Sequence, residues 1–102
     1  SCYVDTSIND YVARLAEATR TDAETRLGVS VRGCLALVRC AKVWAAAQGR
    51  AYVIPDDVKE LAVAVLSHRL VLDVEAEFSG VTPEEIVERI LGETVPPTER
   101  AV

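Results

Sequence analysis

Apolar residues recur at helical spacing near the start of the chain. Between residues 7 and 20, five of them fall at positions i, i+3, i+4, i+7 and i+8, the pattern of one buried helix face. These positions are Ile8, Tyr11, Val12, Leu15 and Ala16. Because Thr6 and Ser7 precede them as candidate caps, the pattern predicts an amphipathic first helix over residues 7–20.

The longest predicted helix follows Ser30, a residue type that favours the N-cap, and runs through Gln48 to a stop at Gly49. It is apolar almost all round. Its charged positions form only a narrow strip, namely Arg32, Arg39 and Lys42. Such a helix is typical of a central position between several others. We therefore expect it in the middle of the core, with Trp44 as a core anchor.

Pro55 opens a third predicted helix, because proline suits the first helical position and an apolar stripe follows it. The stripe consists of Val58, Leu61, Ala62 and Val65. Residues 51–54 favour β structure, and apolar and polar residues alternate over residues 70–78. This alternation predicts an extended segment. The most natural partner of this extended segment is residues 52–54, because a short two-stranded pairing would provide hydrogen bonds for the backbone groups of both.

Thr82, Pro83 and Glu85 specify the start of the last helix, since they supply a side-chain cap, a proline at the first position and a capping box. The apolar face of this helix comprises Ile86, Val87, Ile90 and Leu91. We expect it to stop at Gly92, before a tail over residues 93–102. The predicted fold class is therefore mostly all-α: four helices in a bundle, with a short two-stranded β pairing.

Composition and charge narrow the classes of function. The chain has 102 residues, 50% of them apolar, which is enough for one core without disulfides or metal ions. Its 16 acidic and 11 basic residues give a formal charge of −5, which repels a phosphate backbone over most of the surface. Nucleic acid is therefore not an expected partner.

The cysteines and the apolar segments indicate the compartment. Cys2, Cys34 and Cys40 form an odd set, and two of them lie on one predicted helix, too far around and along it to bridge. This pattern favours a reducing cytoplasm. No charged segment followed by an apolar one opens the chain, and Arg39 and Lys42 interrupt its longest apolar helix. We therefore expect neither secretion nor membrane insertion.

Common catalytic motifs are absent from the sequence. It contains no glycine-rich phosphate loop, no dinucleotide-binding turn and no H-E-x-x-H helix, so we expect no catalysis by this chain alone. One histidine and unpaired cysteines do not make a metal site. We interpret His68 as a last-turn residue that favours the negative helix end. Cys34 and Cys40 are interpreted as small buried hydrophobes.

Arg32 is the most informative side chain. It lies two positions after the Ser30 cap, in the first helical turn, where the helix dipole disfavours a cation by a few tenths of a kcal/mol. A negative group would relieve this conflict, since free N–H groups and a guanidinium together suit a phosphate oxygen or a carboxylate. The alternative is a solvated arginine that tolerates the small penalty, and position alone favours that alternative.

Several ordered segments resemble the C-terminal lid of MoxR-type AAA+ ATPases. They are LGVSVRG at residues 27–33, LAL at residues 35–37, GRAYVIPDDV at residues 49–58 and VLSHRL at residues 65–70, with DYV at residues 10–12 and ATR at residues 18–20 upstream. The match extends from the first helix to about His68. The ordered combination is far more specific than any single segment.

The resemblance implies a function for the start of the second helix. In this family the lid is a small helical bundle that follows a nucleotide-binding α/β domain and closes over ATP. Its sensor 2 arginine, in a G-x-S-x-R setting, reaches the γ-phosphate, and the matching residue here is Arg32, with Ser30 beside it. The family usually has proline where Val31 stands and alanine where Gly33 stands. Gly33 would weaken the helix start by up to about 1 kcal/mol relative to alanine.

The resemblance also implies partners. Residues 1–102 would be the lid, with residues 1–5 as a linker remnant, and would work with a preceding nucleotide-binding domain. ATP with magnesium is expected in the full-length protein, whereas no cofactor is expected for this lid alone. The family further implies a homo-oligomeric ring, chaperone-like remodelling and partners that carry a von Willebrand factor A domain.

Two other classes of function stay open at this stage. One is a stand-alone helical module whose apolar faces dock a partner helix. The other is a helical DNA-binding domain that uses Arg32, Arg39 and Lys42 as a local basic strip.

Overall fold

The computed structural model describes residues 2–98, and these residues are mostly helical, as predicted. The elements in chain order are α1 (Thr6–Thr21), β1 (Thr25–Leu27), α2 (Val31–Ala47), α3 (Pro55–Leu66), a 3-10 turn (Ser67–Arg69), β2 (Val71–Leu72), α4 (Val74–Phe78) and α5 (Pro83–Glu93). One more helix than expected is present, because α4 lies within the segment predicted to be extended. None of these helices is long and apolar enough to cross a membrane.

The core lies between α1, α2, α3 and α5. The apolar face predicted for α1 is fully buried, and so are Ile86, Val87 and Ile90 of α5. The helix α2 packs most extensively against α3 and also against α1. Its contact side is made of small residues and one leucine, namely Gly33, Leu37, Ala41 and Ala45. Small side chains on this side let the neighbouring helices approach α2 closely.

The caps hold the ends of the helices. At the start of α1 the cap is Asp5 rather than the predicted Thr6 or Ser7, because the Asp5 carboxylate accepts a hydrogen bond from the backbone N–H of Ser7 at 3.0 Å. The capping box of α5 is confirmed, with reciprocal hydrogen bonds between Thr82 and Glu85. At its other end, α5 continues one residue past Gly92 to Glu93.

The predicted central position of α2 is found only on the side that packs against α1 and α3. Val31, Leu35 and Val43 are 69%, 55% and 68% exposed, and Trp44, expected as a core anchor, is 36% exposed. The reason is that α1 and α3 pack against one side of α2. Within residues 2–98 the opposite side remains open to solvent.

The predicted β pairing forms with a different partner. Only Val71–Leu72 of the segment 70–78 is a strand, and it pairs antiparallel with β1, at Thr25 and Leu27. The chain then turns helical because the Asp73 carboxylate caps α4, accepting from the Glu75 N–H at 3.2 Å. Within α4, Ala76 is buried, whereas the side chain of Phe78 faces solvent.

Residues 51–53 pair with the beginning of the chain instead. Tyr3 and Tyr52 form a parallel bridge, in which the Tyr3 N–H donates to Ala51 O at 2.8 Å and the Val53 N–H donates to Tyr3 O at 2.9 Å. Part of the expected linker therefore takes part in the fold. At the other end, Arg14 donates to the Val95 carbonyl at 2.9 Å. Of the tail predicted over residues 93–102, the last four residues lie outside the described part.

Candidate functional site

Ser30 and Arg32 lie where the sequence predicts them, at the start of α2. Ser30 has extended backbone angles, and its hydroxyl oxygen accepts a hydrogen bond from the Gly33 N–H at 3.4 Å, so the predicted N-cap is confirmed. Arg32 is the second residue of the helix. The first turn contains no acidic side chain that would offset the positive end of the helix dipole.

The side chain of Arg32 is available to a ligand. The residue is exposed, and within residues 2–98 it forms no ion pair. It is neither turned into the bundle nor held by an internal carboxylate. Its guanidinium and the first N–H groups of α2 therefore form a positive, solvent-facing end, which suits an anionic oxygen.

The loop before α2 is fixed to α1 through both backbone groups of Val29. The Val29 N–H donates to the hydroxyl of Thr19 at 2.9 Å, and Nε of Arg20 donates to the Val29 carbonyl at 2.8 Å. Thr19 is buried and donates in turn to Ala16 O at 2.6 Å. These bonds determine where the Ser30 cap and the first turn of α2 lie relative to the rest of the bundle.

Gly28 allows this close approach of the loop to α1. A Cβ atom at residue 28 would lie 2.5 Å from the Cα of Arg20, a backbone atom that cannot move away without shifting the helix. A side chain at this position would push the loop off α1. Residues 18–20 and 27–33 both belong to the resemblance to the MoxR lid, and the structure brings these two segments into contact.

Gly33, which departs from the alanine usual in the family, also has a packing reason. A Cβ atom there would lie 2.5 Å from Cγ1 of Val29 and 3.2 Å from Cδ of Arg69. Val29 is completely buried, so its side chain has no free space into which it could move. The glycine therefore allows both side chains to pack over the first turn of α2.

Arg69 is a second cation at this end of the helix that sequence reasoning missed. It ends the 3-10 turn after α3, and its aliphatic part lies against Gly33. It is exposed and has no ion pair in the described part of the chain. No sequence pattern signals this position, because it depends on how the end of α3 packs against the start of α2.

A separate buried ion pair closes the segment between α2 and α3. Asp57 is 1% exposed and accepts two hydrogen bonds from the Arg50 guanidinium, both at 2.6 Å, and one from the Ile54 N–H at 2.8 Å. Hydrogen bonding to Asp57 raises the pKa of Arg50 above its usual value. Because all of these groups are occupied with one another, we assign the pair to structure rather than to ligand binding.

The remaining candidates do not assemble a second site. Cys34 is only half-buried, against the core, and Cys40 is exposed, so the interpretation of both as buried hydrophobes holds in part for Cys34 and is wrong for Cys40. His68 is exposed at the end of α3. Among residues 2–98, no group of three or more histidine, cysteine, aspartate or glutamate side chains could hold a metal ion.

Comparison with known proteins gives one consistent result. The family model described as the AAA lid domain matches residues 17–90. Uncharacterized protein YeaC of Bacillus subtilis (strain 168) is 40% identical over 97 residues, which cover 95% of this chain and 30% of that protein. Chaperone MoxR1 of Mycobacterium tuberculosis is 35% identical over 109 residues, covering 98% of this chain and 29% of that protein.

A solved structure has the same fold. The crystal structure of a candidate ATPase from Cytophaga hutchinsonii superposes with a TM-score of 0.88 and is 34% identical. The match covers 93% of this chain and 32% of that one. The chain thus spans less than a third of the length of each of these three proteins.

Proposed function

Because the chain belongs to the AAA lid domain family, as a lid of the MoxR type, we propose that it closes over ATP held by a nucleotide-binding domain and supplies Arg32 to the terminal phosphate. The observation that supports this proposal most directly is the exposed guanidinium of Arg32 in the first turn of α2, which forms no ion pair with any residue from 2 to 98. It is the arginine that matches the sensor 2 position of the family.

Electrostatics support the assignment. Near the positive end of the α2 dipole a cation is disfavoured by a few tenths of a kcal/mol. A phosphate oxygen bound there would attract both the Arg32 guanidinium and the N–H groups of the helix end. Arg69 adds a second positive charge at the same end. The hydroxyl of Ser30 uses its oxygen to cap Gly33, so its proton remains to be donated to a phosphate oxygen. The residues present therefore fit the phosphate end of a nucleotide.

The mechanism follows from how the first turn is held. Arg32 would stabilise charge on the terminal phosphate, and loss of that phosphate would remove the attraction that keeps the lid closed. Because Thr19 and Arg20 tie the loop before α2 to α1, a displacement of the first turn would be passed to the whole bundle. Nucleotide state would in this way become movement of the lid.

The wider setting is part of the same proposal. The magnesium ion would be held by the nucleotide-binding domain, and ATP hydrolysis would need both parts of the protein. The printed name of the relative MoxR1 describes a chaperone, so we propose that lid movement drives chaperone-like remodelling in a cytoplasmic ring of identical subunits. A partner with a von Willebrand factor A domain remains an expectation from the family.

The test is the Arg32→Ala substitution in the full-length protein, compared with Lys59→Ala. Both residues are exposed cations on helices, but Lys59 lies on α3 and not in the first turn of α2. We expect Arg32→Ala to reduce the steady-state rate of ATP turnover by at least about tenfold, since it removes charge stabilisation in the transition state. Lys59→Ala should leave that rate within about twofold of the original.

A folding control separates this loss from general damage. Circular dichroism and thermal unfolding of the 102-residue chain with Arg32→Ala should match those of the original chain, because the side chain is exposed and has no ion pair to lose among the described residues. ATP turnover that is unchanged by Arg32→Ala would remove this residue from the mechanism.

A further inference from the structure

The solvent side of α2 carries an apolar groove that no described element fills. It lies between α2 and α3 and has a volume of about 420 Å³. We define the groove by its lining residues, Arg39, Cys40, Val43, Trp44, Ala47 and Leu61. Val43 is 68% exposed and Trp44 is 36% exposed. Covering exposed apolar surface of this kind lowers the free energy of a folded chain in water.

The groove is basic at its edge. All three charged residues of α2, Arg32, Arg39 and Lys42, are cations, and the helix contains no carboxylate. Arg39 itself lines the groove, and Lys42 precedes Val43 on the same helix. In the described part of the chain, no ion pair includes any of these three cations. A matching ligand would therefore combine an apolar side chain with negative charge.

The same chain presents a surface of that chemistry on α4. We call it the acidic knob and define it by Val74, Glu75, Glu77 and Phe78. Phe78 is 94% exposed and Val74 is 69% exposed. The two glutamates are also exposed, and within residues 2–98 neither forms an ion pair.

We propose that the acidic knob of one copy docks into the groove of a second copy, with Phe78 covering Trp44 and the two glutamates facing Arg39 and Lys42. Charge complementarity points to a second copy as the occupant, because one chain carries both the basic apolar groove and the acidic apolar knob, and neither is covered by the part of the chain that the structure describes. Phe78 is almost fully exposed, so its own groove does not hold it. The contact is independent of the role proposed for Arg32.

This contact is heterologous, since it joins two different surfaces. A dimer formed in this way leaves one groove and one knob free, so a third copy can add in the same manner. The contact buries a single knob, and the chain has a formal charge of −5. We therefore expect weak association. Salt screens both the charge pairs between knob and groove and the repulsion between two chains of charge −5, so one moderate ionic strength suits the test.

Sedimentation velocity of the 102-residue chain is the first test. From about 20 μM to about 1 mM protein in about 0.15 M salt, the weight-average sedimentation coefficient should rise with concentration. A chain that remains monomeric at about 1 mM under these conditions overturns the proposal.

Two single substitutions separate the two surfaces. Phe78→Ser removes the anchor of the knob, and Val43→Glu places a carboxylate in the groove. Each variant alone should be monomeric over the whole concentration range. Val95→Ser is the matched control, because Val95 is 76% exposed and belongs to neither surface, and it should associate like the original chain. Association that survives both surface variants would contradict the proposed contact.

Mixing the two variants tests the direction of the contact. The Phe78→Ser chain keeps an intact groove and the Val43→Glu chain keeps an intact knob, so an equimolar mixture should form one-to-one dimers and nothing larger. If the mixture stays monomeric while the original chain associates, the heterologous arrangement is wrong. Circular dichroism checks the fold of each variant. If Val43→Glu unfolds the chain, Arg39→Glu serves as the groove variant in the same mixture.

Discussion

Gly33 lies in the first turn of α2, directly beneath the side chains of Val29 and Arg69. Helix propensity alone predicts that Gly33→Ala stabilises the protein by about 1 kcal/mol. We expect the opposite, a decrease of about 1–3 kcal/mol in the free energy of unfolding, because the new Cβ would lie 2.5 Å from a buried methyl group of Val29. Urea unfolding followed by circular dichroism measures the change.

Gly92 supplies the matched control for this substitution. It also lies inside a helix, α5, but nothing lies within 4 Å of a Cβ built there. Gly92→Ala should therefore stabilise the protein, by up to about 1 kcal/mol. If both substitutions stabilise the protein equally, packing at residue 33 does not decide the outcome.

At the residue scale, the sequence was sufficient for features that depend on neighbours along the chain. The Ser30 cap, the position of Arg32 in the first turn and the capping box of α5 depend on spacings of a few residues, and all three are confirmed. The packing over Gly33 depends on Arg69, which is distant in the sequence. Such a contact leaves no local pattern, so residue types alone could not predict it.

At the element scale, the segment between α2 and α3 depends on one carboxylate. Asp57 receives two hydrogen bonds from Arg50 and one from the Ile54 N–H, and it is almost completely buried. We expect Asp57→Asn to lower the free energy of unfolding by roughly 2–4 kcal/mol, since it leaves Arg50 without its counter-charge and one acceptor is lost. Thermal or urea unfolding measures this loss.

Asp56 is the control for Asp57, because the two residues are adjacent in the first turn of α3 but Asp56 is exposed. Asp56→Asn removes only an interaction with the helix dipole, which is worth less than about 1 kcal/mol. Equal effects of the two substitutions would show that the buried ion pair adds nothing beyond the dipole interaction.

The element that sequence reasoning assigned wrongly is the segment 70–78. Only five residues of this segment form α4, and so short a stretch does not distinguish a strand from a helix of less than two turns by its apolar pattern. The signal that separates the two structures is Asp73, which caps α4. The strand partner was wrong for a different reason. Antiparallel pairing of β1 with Val71–Leu72 depends on where α1 and α3 end in space, and single-sequence patterns contain no information about that.

At the scale of the whole molecule, the apolar pattern predicted a mostly helical fold but not the limits of its core. Apolar residues on all sides of a helix predict that the helix is buried on all sides. Here α2 is buried on the side that faces α1 and α3, and its other side carries the groove. The apolar pattern therefore marks two kinds of surface, one covered by the chain itself and one that we propose is covered by a second copy.

The whole molecule also limits what the Arg32 site can do alone. The site offers cations and helix N–H groups at one end of α2, but the sequence contains no glycine-rich phosphate loop. We therefore expect a dissociation constant for ATP of about 10 mM or weaker. With that constant, 5 mM ATP stabilises the chain by less than about 0.3 kcal/mol. For a domain of this size that corresponds to a rise of at most about 2 °C in the unfolding temperature.

Calorimetric scans of the original chain and of Arg32→Ala should then differ little, with and without ATP. A rise of about 5 °C or more that Arg32→Ala abolishes would contradict this limit, because it would mean that the lid binds nucleotide without a second domain.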